Sequence, residues 1–166
     1  MTKLPQIKAM ADAEGLTING ELFREDVSLE HYSRILGSPS RIDEGKLPAP
    51  YGHRNNRAYL FDDQGIYLTE HHATRLIESV NFVFDVTDAV IRTTHPFAGS
   101  LTIFDQELRV GMSERELGLS PFKRDLAGEY SVRRGHCWIG LSTMGQRVPG
   151  RRRMKLRFLV SVSVCF

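Results

Sequence analysis

The sequence predicts an α+β protein built from two duplicated units, and three observations support this fold class. A Gly-Leu-Thr-Ile segment at residues 15–18 is echoed by Gly-Ser-Leu-Thr-Ile at 99–103, directly after the His-Pro-Phe-Ala segment at 95–98. Leu-Gly-Ser-Pro at residues 36–39 has a counterpart in Gly-Leu-Ser-Pro at 118–121. Segments of alternating apolar residues follow in both halves, and this period of two is typical of antiparallel strands.

We therefore expect two units of the order strand–strand–helix–strand–strand–strand, which form an extended, mostly antiparallel sheet with short helices on one face. The predicted organisation is a lead-in at residues 1–14, an acidic first repeat at 15–94 and a basic second repeat at 95–166. One short helix does not cover a sheet face. The two repeats are therefore expected to pack into one integrated domain.

The first repeat begins with a hairpin at residues 15–23, because Asn19-Gly20 favours a tight turn with positive φ. Ser28 is a suitable N-cap for a short helix with apolar residues at helical spacing, and Gly37 is a suitable end for it. The proline-rich and charged stretch 46–56 is predicted to be a loop.

Three strands follow this loop in the prediction. Residues 59–61 and 66–68 form a hairpin around an Asp-Asp-Gln-Gly turn at 62–65, where Gly65 suits the left-handed position. Residues 77–86 form the clearest strand of the first repeat, because their apolar residues alternate.

The second repeat is predicted to start with a hairpin at residues 101–110. Ser113 then caps a helical turn at 114–117, and strands follow at 130–132 and 137–141. The last strand, at 154–166, is predicted to place six apolar residues on one face: Met154, Leu156, Phe158, Val160, Val162 and Val164.

Charge is distributed unevenly between the repeats. Residues 1–94 contain 10 Lys and Arg and 14 Asp and Glu, a net charge of −4, whereas residues 95–166 contain 12 and 6, a net charge of +6. This asymmetry indicates contacts selected by charge, or attraction between the repeats, or simple solvation.

The N-terminal segment, the hydropathy pattern and the cysteines predict a cytoplasmic location. The N-terminus has no apolar signal segment, and no stretch has the unbroken apolar length of a membrane helix. Cys137 and Cys165 form no C-x-x-C motif and lie in apolar surroundings, which favours reduced, buried thiols, although the sequence leaves a disulfide open.

Motifs for catalysis or cofactor binding are weak, so we expect neither enzyme activity nor a cofactor nor a metal. His71 and His72 are adjacent and lack the spacing of zinc ligands. Asp62-Asp63 has the composition of a turn rather than of a catalytic pair. The sequence contains no G-x-S-x-G, no P-loop and no dinucleotide-binding glycine motif.

Two charged sets suggest binding instead. A basic set next to Trp138 could contact phosphate backbones, or could simply protect a sheet edge; it comprises Arg133, Arg134, Arg147, Arg151, Arg152, Arg153, Lys155 and Arg157. An acidic set suits a basic protein partner; it comprises Glu21, Glu25, Asp26, Glu30, Asp43, Glu44, Asp62, Asp63 and Glu70.

The motifs at residues 16–20, 36–39 and 59–67 resemble those of an uncharacterised bacterial domain family whose members often occur beside secreted polymorphic toxins. The resemblance extends more loosely into the second repeat through residues 96–103. It implies an immunity protein, which binds a cognate contact-dependent or type VI secreted toxin in the cytoplasm and occludes its active site. It implies no catalytic residue.

Two alternative functions stay open at this point. The first is a nucleic-acid-binding module that uses the basic second repeat. The second is a hydrolase that reverses a toxin's modification, although the sequence offers it no recognisable nucleophile or base. We expect a monomer or weak dimer, without membrane contact.

Overall fold

The computed structural model describes residues 6–46, 55–87, 91–118, 122–124, 129–147 and 155–166. About half of these residues lie in strands, and one helix of eight residues occurs among them. The predicted α+β class with helices on one face is therefore wrong. The fold is mostly β and contains two separate sheets instead of one extended sheet. Within the described ranges, no helix combines the length and apolar character needed to cross a bilayer.

The smaller sheet has five strands in the order β3-β2-β1-β8-β9. Its strands are β1 (Lys8–Ala11), β2 (Leu16–Ile18), β3 (Glu21–Phe23), β8 (Ser100–Ile103) and β9 (Gln106–Leu108). The hairpins β2–β3 and β8–β9 lie on either side of β1, which pairs antiparallel with β2 and parallel with β8. The predicted lead-in thus contributes the central strand of this sheet.

The larger sheet has eight strands in the order β10-β11-β12-β13-β7-β6-β5-β4. Its first four strands along the chain are β4 (Arg41–Lys46), β5 (Asn55–Phe61), β6 (Ile66–Glu70) and β7 (Ile77–Val83). The other four are β10 (Lys123–Arg124), β11 (Tyr130–Arg134), β12 (Cys137–Arg147) and β13 (Lys155–Cys165). Each group is an antiparallel meander, and the antiparallel pair β7–β13 joins the two groups.

The helix predicted in the first repeat is confirmed as α1 (Leu29–Leu36). Ser28 occupies the N-cap position, but its side chain makes no capping hydrogen bond. The helix docks through Tyr32, which is buried and stacks on Phe23 with ring centroids 4.2 Å apart. Gly37 ends the helix with φ 83°.

The helical turn predicted at residues 114–117 does not continue into a helix. The segment forms hydrogen-bonded turns, in which the Ser113 hydroxyl and backbone N–H both donate to the Glu116 carboxylate, at 2.7 and 2.8 Å. A segment this short gains too few backbone hydrogen bonds to offset the cost of helix nucleation. The loop predicted at 46–56 is also partly wrong, because β4 ends at Lys46 and β5 begins at Asn55; residues 47–54 lie outside the described ranges.

Both hairpin turns of the first repeat are confirmed. Asn19 and Gly20 adopt φ 50° and 89°, as a tight turn between β2 and β3 requires. Gly65 adopts φ 68° between β5 and β6, and it packs directly against the backbone of residues 96 and 97. The link between the repeats is thereby fixed to the larger sheet.

The main core lies between the two sheets and beneath α1, and it joins residues such as Ile18 and Phe82 in one cluster. The single-face prediction for the last strand is wrong at Val160. Ser142 pairs with Ser161 and Thr143 pairs with Leu159, so Val160 is an extra residue in a β-bulge. Leu159 then enters the main core, whereas Val160 packs against Val83 in a small second cluster. Met154 lies outside the described residues.

Candidate functional site

Two members of the predicted acidic set, Asp62 and Glu70, are buried and serve the fold. Asp62 is 8% exposed and accepts hydrogen bonds from Arg41 Nε at 2.8 Å and from the Thr94 backbone N–H at 3.0 Å. The hydrogen bonds from Arg41 lower the pKa of Asp62 below its ordinary value, since they favour the charged form. Asp62 is thus buried and held by internal contacts rather than presented on the surface as the sequence predicts.

Glu70 is 5% exposed and is held by two side chains. It accepts a hydrogen bond of 2.6 Å from the Tyr59 hydroxyl and one of 2.9 Å from Arg75 Nη1. Burial raises the pKa of Tyr59, and so does its hydrogen bond to the carboxylate. Glu70 is therefore no more available to a partner than Asp62.

Four other members of the acidic set surround β3 and α1. Glu21 contacts His31, Glu30 pairs with Arg34 at 3.1 Å, and Asp26 is exposed with φ 67°. Glu25 lies 3.6 Å from His136, in the turn between β11 and β12. This part of the set therefore lies on the first repeat and contacts the second repeat through Glu25.

A fifth exposed carboxylate, that of Asp63, lies in the turn between β5 and β6. Its Oδ1 is 3.5 Å from His95 Nδ1, in the segment that links the repeats. A histidine balances this carboxylate only when it is protonated.

The last two members, Asp43 and Glu44, lie on β4, and we call this strand and its exposed side chains the β4 edge. Within the described ranges β4 pairs with β5 alone, so it forms one edge of the larger sheet. Asp43 is exposed, Glu44 pairs with Arg57 at 2.7 Å, and the Ile42 side chain is 54% exposed. An exposed edge strand can accept a further strand from another molecule.

The strand at the β4 edge has only a weak signal in the sequence. Arg-Ile-Asp-Glu-Gly-Lys has a single large apolar residue, so the alternation that marks a half-buried strand is missing. Such a strand forms because β5 is beside it, and that long-range pairing leaves no local signal.

Of the predicted basic set, the structure describes the side chains of Arg133, Arg134 and Arg157. Arg157 donates to Thr143 Oγ1 at 2.9 Å and lies 3.1 Å from Glu114 Oε2, and the Arg134 guanidinium lies 5.0 Å from the centre of the Phe104 ring. Arg133 is exposed. Arg151, Arg152 and Arg153 lie outside the described residues, as do the side chains of Arg147 and Lys155.

His71 and His72 lie in a turn, with ring centroids 4.8 Å apart. His71 Nδ1 accepts the backbone N–H groups of Ala73 and Thr74, each at 3.3 Å, so this histidine shapes its own turn. Among the described residues, no three His, Cys, Asp or Glu side chains are grouped to hold a metal ion.

Both cysteines are free thiols. Burial raises the pKa of Cys137 to about 11 and that of Cys165 to about 12, because a thiolate is poorly solvated in these surroundings. Cys137 lies in the main core, whereas Cys165 pairs with Trp138 across neighbouring strands.

Comparison with curated proteins and with solved structures finds no match. Comparison with family models matches residues 10–118, which extend from β1 through the turns that follow β9. The strands β10 to β13 follow the matched region. The chain belongs to the family described as a domain of unknown function, DUF7738.

Proposed function

We propose that this protein is a non-enzymatic binding protein that recruits a basic protein partner through the β4 edge. The observation that carries the proposal is an edge strand with the exposed side chains of Ile42 and Asp43. Backbone groups along such an edge give affinity, and alternate side chains give specificity.

The charge of the exposed surface supports a basic partner. Asp43 on β4 and Asp26 before α1 add negative charge to the exposed surface of the first repeat. Complementary charge speeds association and selects partners. The resemblance to proteins encoded beside polymorphic toxins supports a more specific proposal: the partner is a cognate toxin, neutralised in the cytoplasm of the producing cell by occlusion of its active site. We propose that the free protein is a monomer or weak dimer.

The first experiment is co-purification of the tagged protein with the products of neighbouring open reading frames. A stoichiometric complex with a basic protein, stable in moderate salt, is the expected result. Recovery of nucleic acid alone, released by salt, would refute the proposal and favour the basic second repeat as the site.

The second experiment locates the interface. Asp43→Lys places a positive charge on the β4 edge and is expected to weaken binding of a basic partner at least about tenfold, equivalent to about 1.4 kcal/mol. Glu107→Lys is a matched control, because Glu107 is also an exposed acid on an edge strand, but on β9 of the other sheet. Equal effects of the two variants would remove the β4 edge from the interface.

A further inference from the structure

The outer face of the larger sheet, opposite the main core, carries a groove of about 320 Å³ across β6, β7, β13 and β12. Strand registers arrange its floor in cross-strand rows. One row contains Trp138, Cys165, Ser79 and Thr69, and the next contains Gly140, Ser163, Asn81 and Tyr67. The floor consists mainly of small polar side chains, and we call it the serine groove.

The floor is connected by hydrogen bonds. The hydroxyl oxygens of Thr69 and Ser79 are 2.5 Å apart, and Asn81 Nδ2 donates to Ser79 Oγ at 2.9 Å. Ser163 Oγ donates to Asn81 Oδ1 at 2.6 Å, which links the first repeat to the second. Thr69, Ser79 and Asn81 are buried even though they point away from the main core. Hydroxyl groups both donate and accept, so this network can exchange bonds with a ligand.

An aromatic ring forms one wall. A Cβ atom added to Gly140 would lie 3.0 Å from Trp138 Cη2, so the indole lies against the strand where the glycine leaves room. The Trp138 residue remains 39% exposed. Its ring is therefore held in place beside the polar floor, with part of its surface accessible.

The charge of the lining limits the ligand. None of the described residues that line the groove is Lys, Arg or His, whereas Glu78 and Glu129 are both present. A phosphate or carboxylate would therefore meet no positive charge among these described residues. A purely apolar ligand would make no use of the hydrogen-bonding capacity that the floor hydroxyl groups keep, because each hydroxyl group can both donate and accept.

We propose that the serine groove binds a neutral sugar ring. Such a ring offers hydroxyl groups to Ser163 and Asn81, and its apolar C–H face fits against the negative face of the Trp138 indole. The groove lies where the repeats meet, a common position for ligand sites. It is separated from the β4 edge by β5, and this proposal does not depend on the proposed protein partner.

Trp138 is the one tryptophan of the chain, so its fluorescence reports directly on this groove. The full-length protein is titrated with neutral monosaccharides, their oligosaccharides and glucuronic acid, and saturation-transfer NMR provides a second readout. We expect a saturable change with a neutral sugar and a weaker one with glucuronic acid. Affinity that increases with chain length would identify the sugar as a unit of a polymer, and equal affinity would identify a free sugar.

Substitutions in the serine groove, with a control in the other sheet, test whether the sugar binds at this site. Ser163→Ala removes one floor hydroxyl, and Gly140→Ala displaces the indole; each is expected to weaken sugar binding about tenfold or more. Thr102→Val, which removes a hydroxyl from β8 in the other sheet, is expected to bind as the wild type does. Circular dichroism verifies that each variant is folded. Absence of binding by both readouts, unchanged affinity in folded Ser163→Ala and Gly140→Ala, or equal affinity for glucuronic acid would each overturn the proposal.

Discussion

Replacement of Gly65 by alanine tests how the turn between β5 and β6 fixes the link between the repeats. Gly65 has φ 68°, and a Cβ atom there would lie 2.1 Å from the backbone nitrogen of Phe97. Gly20 is a matched control, because it has φ 89° but no atom within 4 Å of the added Cβ. Both alanine variants carry the cost of a left-handed backbone, about 1–2 kcal/mol.

Gly65→Ala carries a second cost that Gly20→Ala does not. The Phe97 backbone N–H donates to the Val83 carbonyl at 2.6 Å, and displacement of this backbone loses a hydrogen bond of about 1 kcal/mol. Phe97 is 2% exposed, and its ring centre is 5.0 Å from that of Phe82. Disturbed packing there adds about 1–3 kcal/mol. We therefore expect Gly65→Ala to be less stable than Gly20→Ala by about 2–4 kcal/mol.

Urea unfolding, followed by circular dichroism, measures this difference as a change in the free energy of unfolding. Gly65→Asn separates the two costs, because asparagine tolerates the left-handed region but still carries a Cβ atom. We expect Gly65→Asn to remain nearly as destabilised as Gly65→Ala. Equal stability of Gly65→Ala and Gly20→Ala would show that contact with Phe97 is not what requires glycine at this turn.

Three further predictions concern buried polar groups. Asp62→Asn should cost about 1–3 kcal/mol at pH 7, because the hydrogen bonds from Arg41 lose their charged acceptor. The pKa of Asp62 is lowered in the folded state, so its contribution to the free energy of unfolding is present above the unfolded pKa of about 3.9 and is lost as the pH falls below that value. Unfolding curves from pH 7 to pH 2 should therefore show a flatter pH dependence for Asp62→Asn than for the wild type. Tyr32→Phe should leave the free energy of unfolding in urea unchanged or raise it by about 1 kcal/mol, because the Tyr32 hydroxyl is buried with no hydrogen-bond partner among the described residues. A clear loss of stability in this variant would show that the hydroxyl has a partner. Iodoacetamide at pH 8 should modify Cys137 and Cys165 slowly in the folded protein and rapidly in urea, as measured by mass spectrometry, since raised pKa values leave little thiolate; rapid labelling of the folded protein would contradict this.

Local turn chemistry made part of the fold predictable. Asn19-Gly20 and the Asp-Asp-Gln-Gly turn at 62–65 each specify φ values that few residues adopt, so their hairpins could be placed from the sequence. The strands β1 and β4 carry no such signal, because their positions depend on β8 and β5, which are distant in sequence or beyond a long connection. The fold class was wrong for the same reason: the pairing that divides the strands between two sheets is not local.

The candidate site was only partly predictable from composition. Asp62 and Glu70 have the same side-chain chemistry as Asp43, yet both are buried against partners contributed by other strands or loops. Whether a carboxylate lies on the surface or accepts hydrogen bonds inside the protein depends on those partners. The local sequence around the carboxylate does not show which partners it will have. The β4 edge follows from sheet order, which the sequence alone left undetermined.

A less obvious repeat could have predicted the centre of the larger sheet. Residues 79–83 read Ser-Val-Asn-Phe-Val, and residues 161–165 read Ser-Val-Ser-Val-Cys. These two segments pair with each other. Each comes directly after an extra residue that shifts the strand register: Glu78 shifts the pairing of β7 with β6, and Val160 shifts the pairing of β13 with β12. Both segments direct Val80 or Val162 into the main core and small polar side chains to the outer face. The serine groove therefore arises from the pairing of the two repeats. Because residues 161–165 lie beyond the stretch that matches the DUF7738 family, a chain with the matched stretch alone would have the floor of β7 without its counterpart on β13.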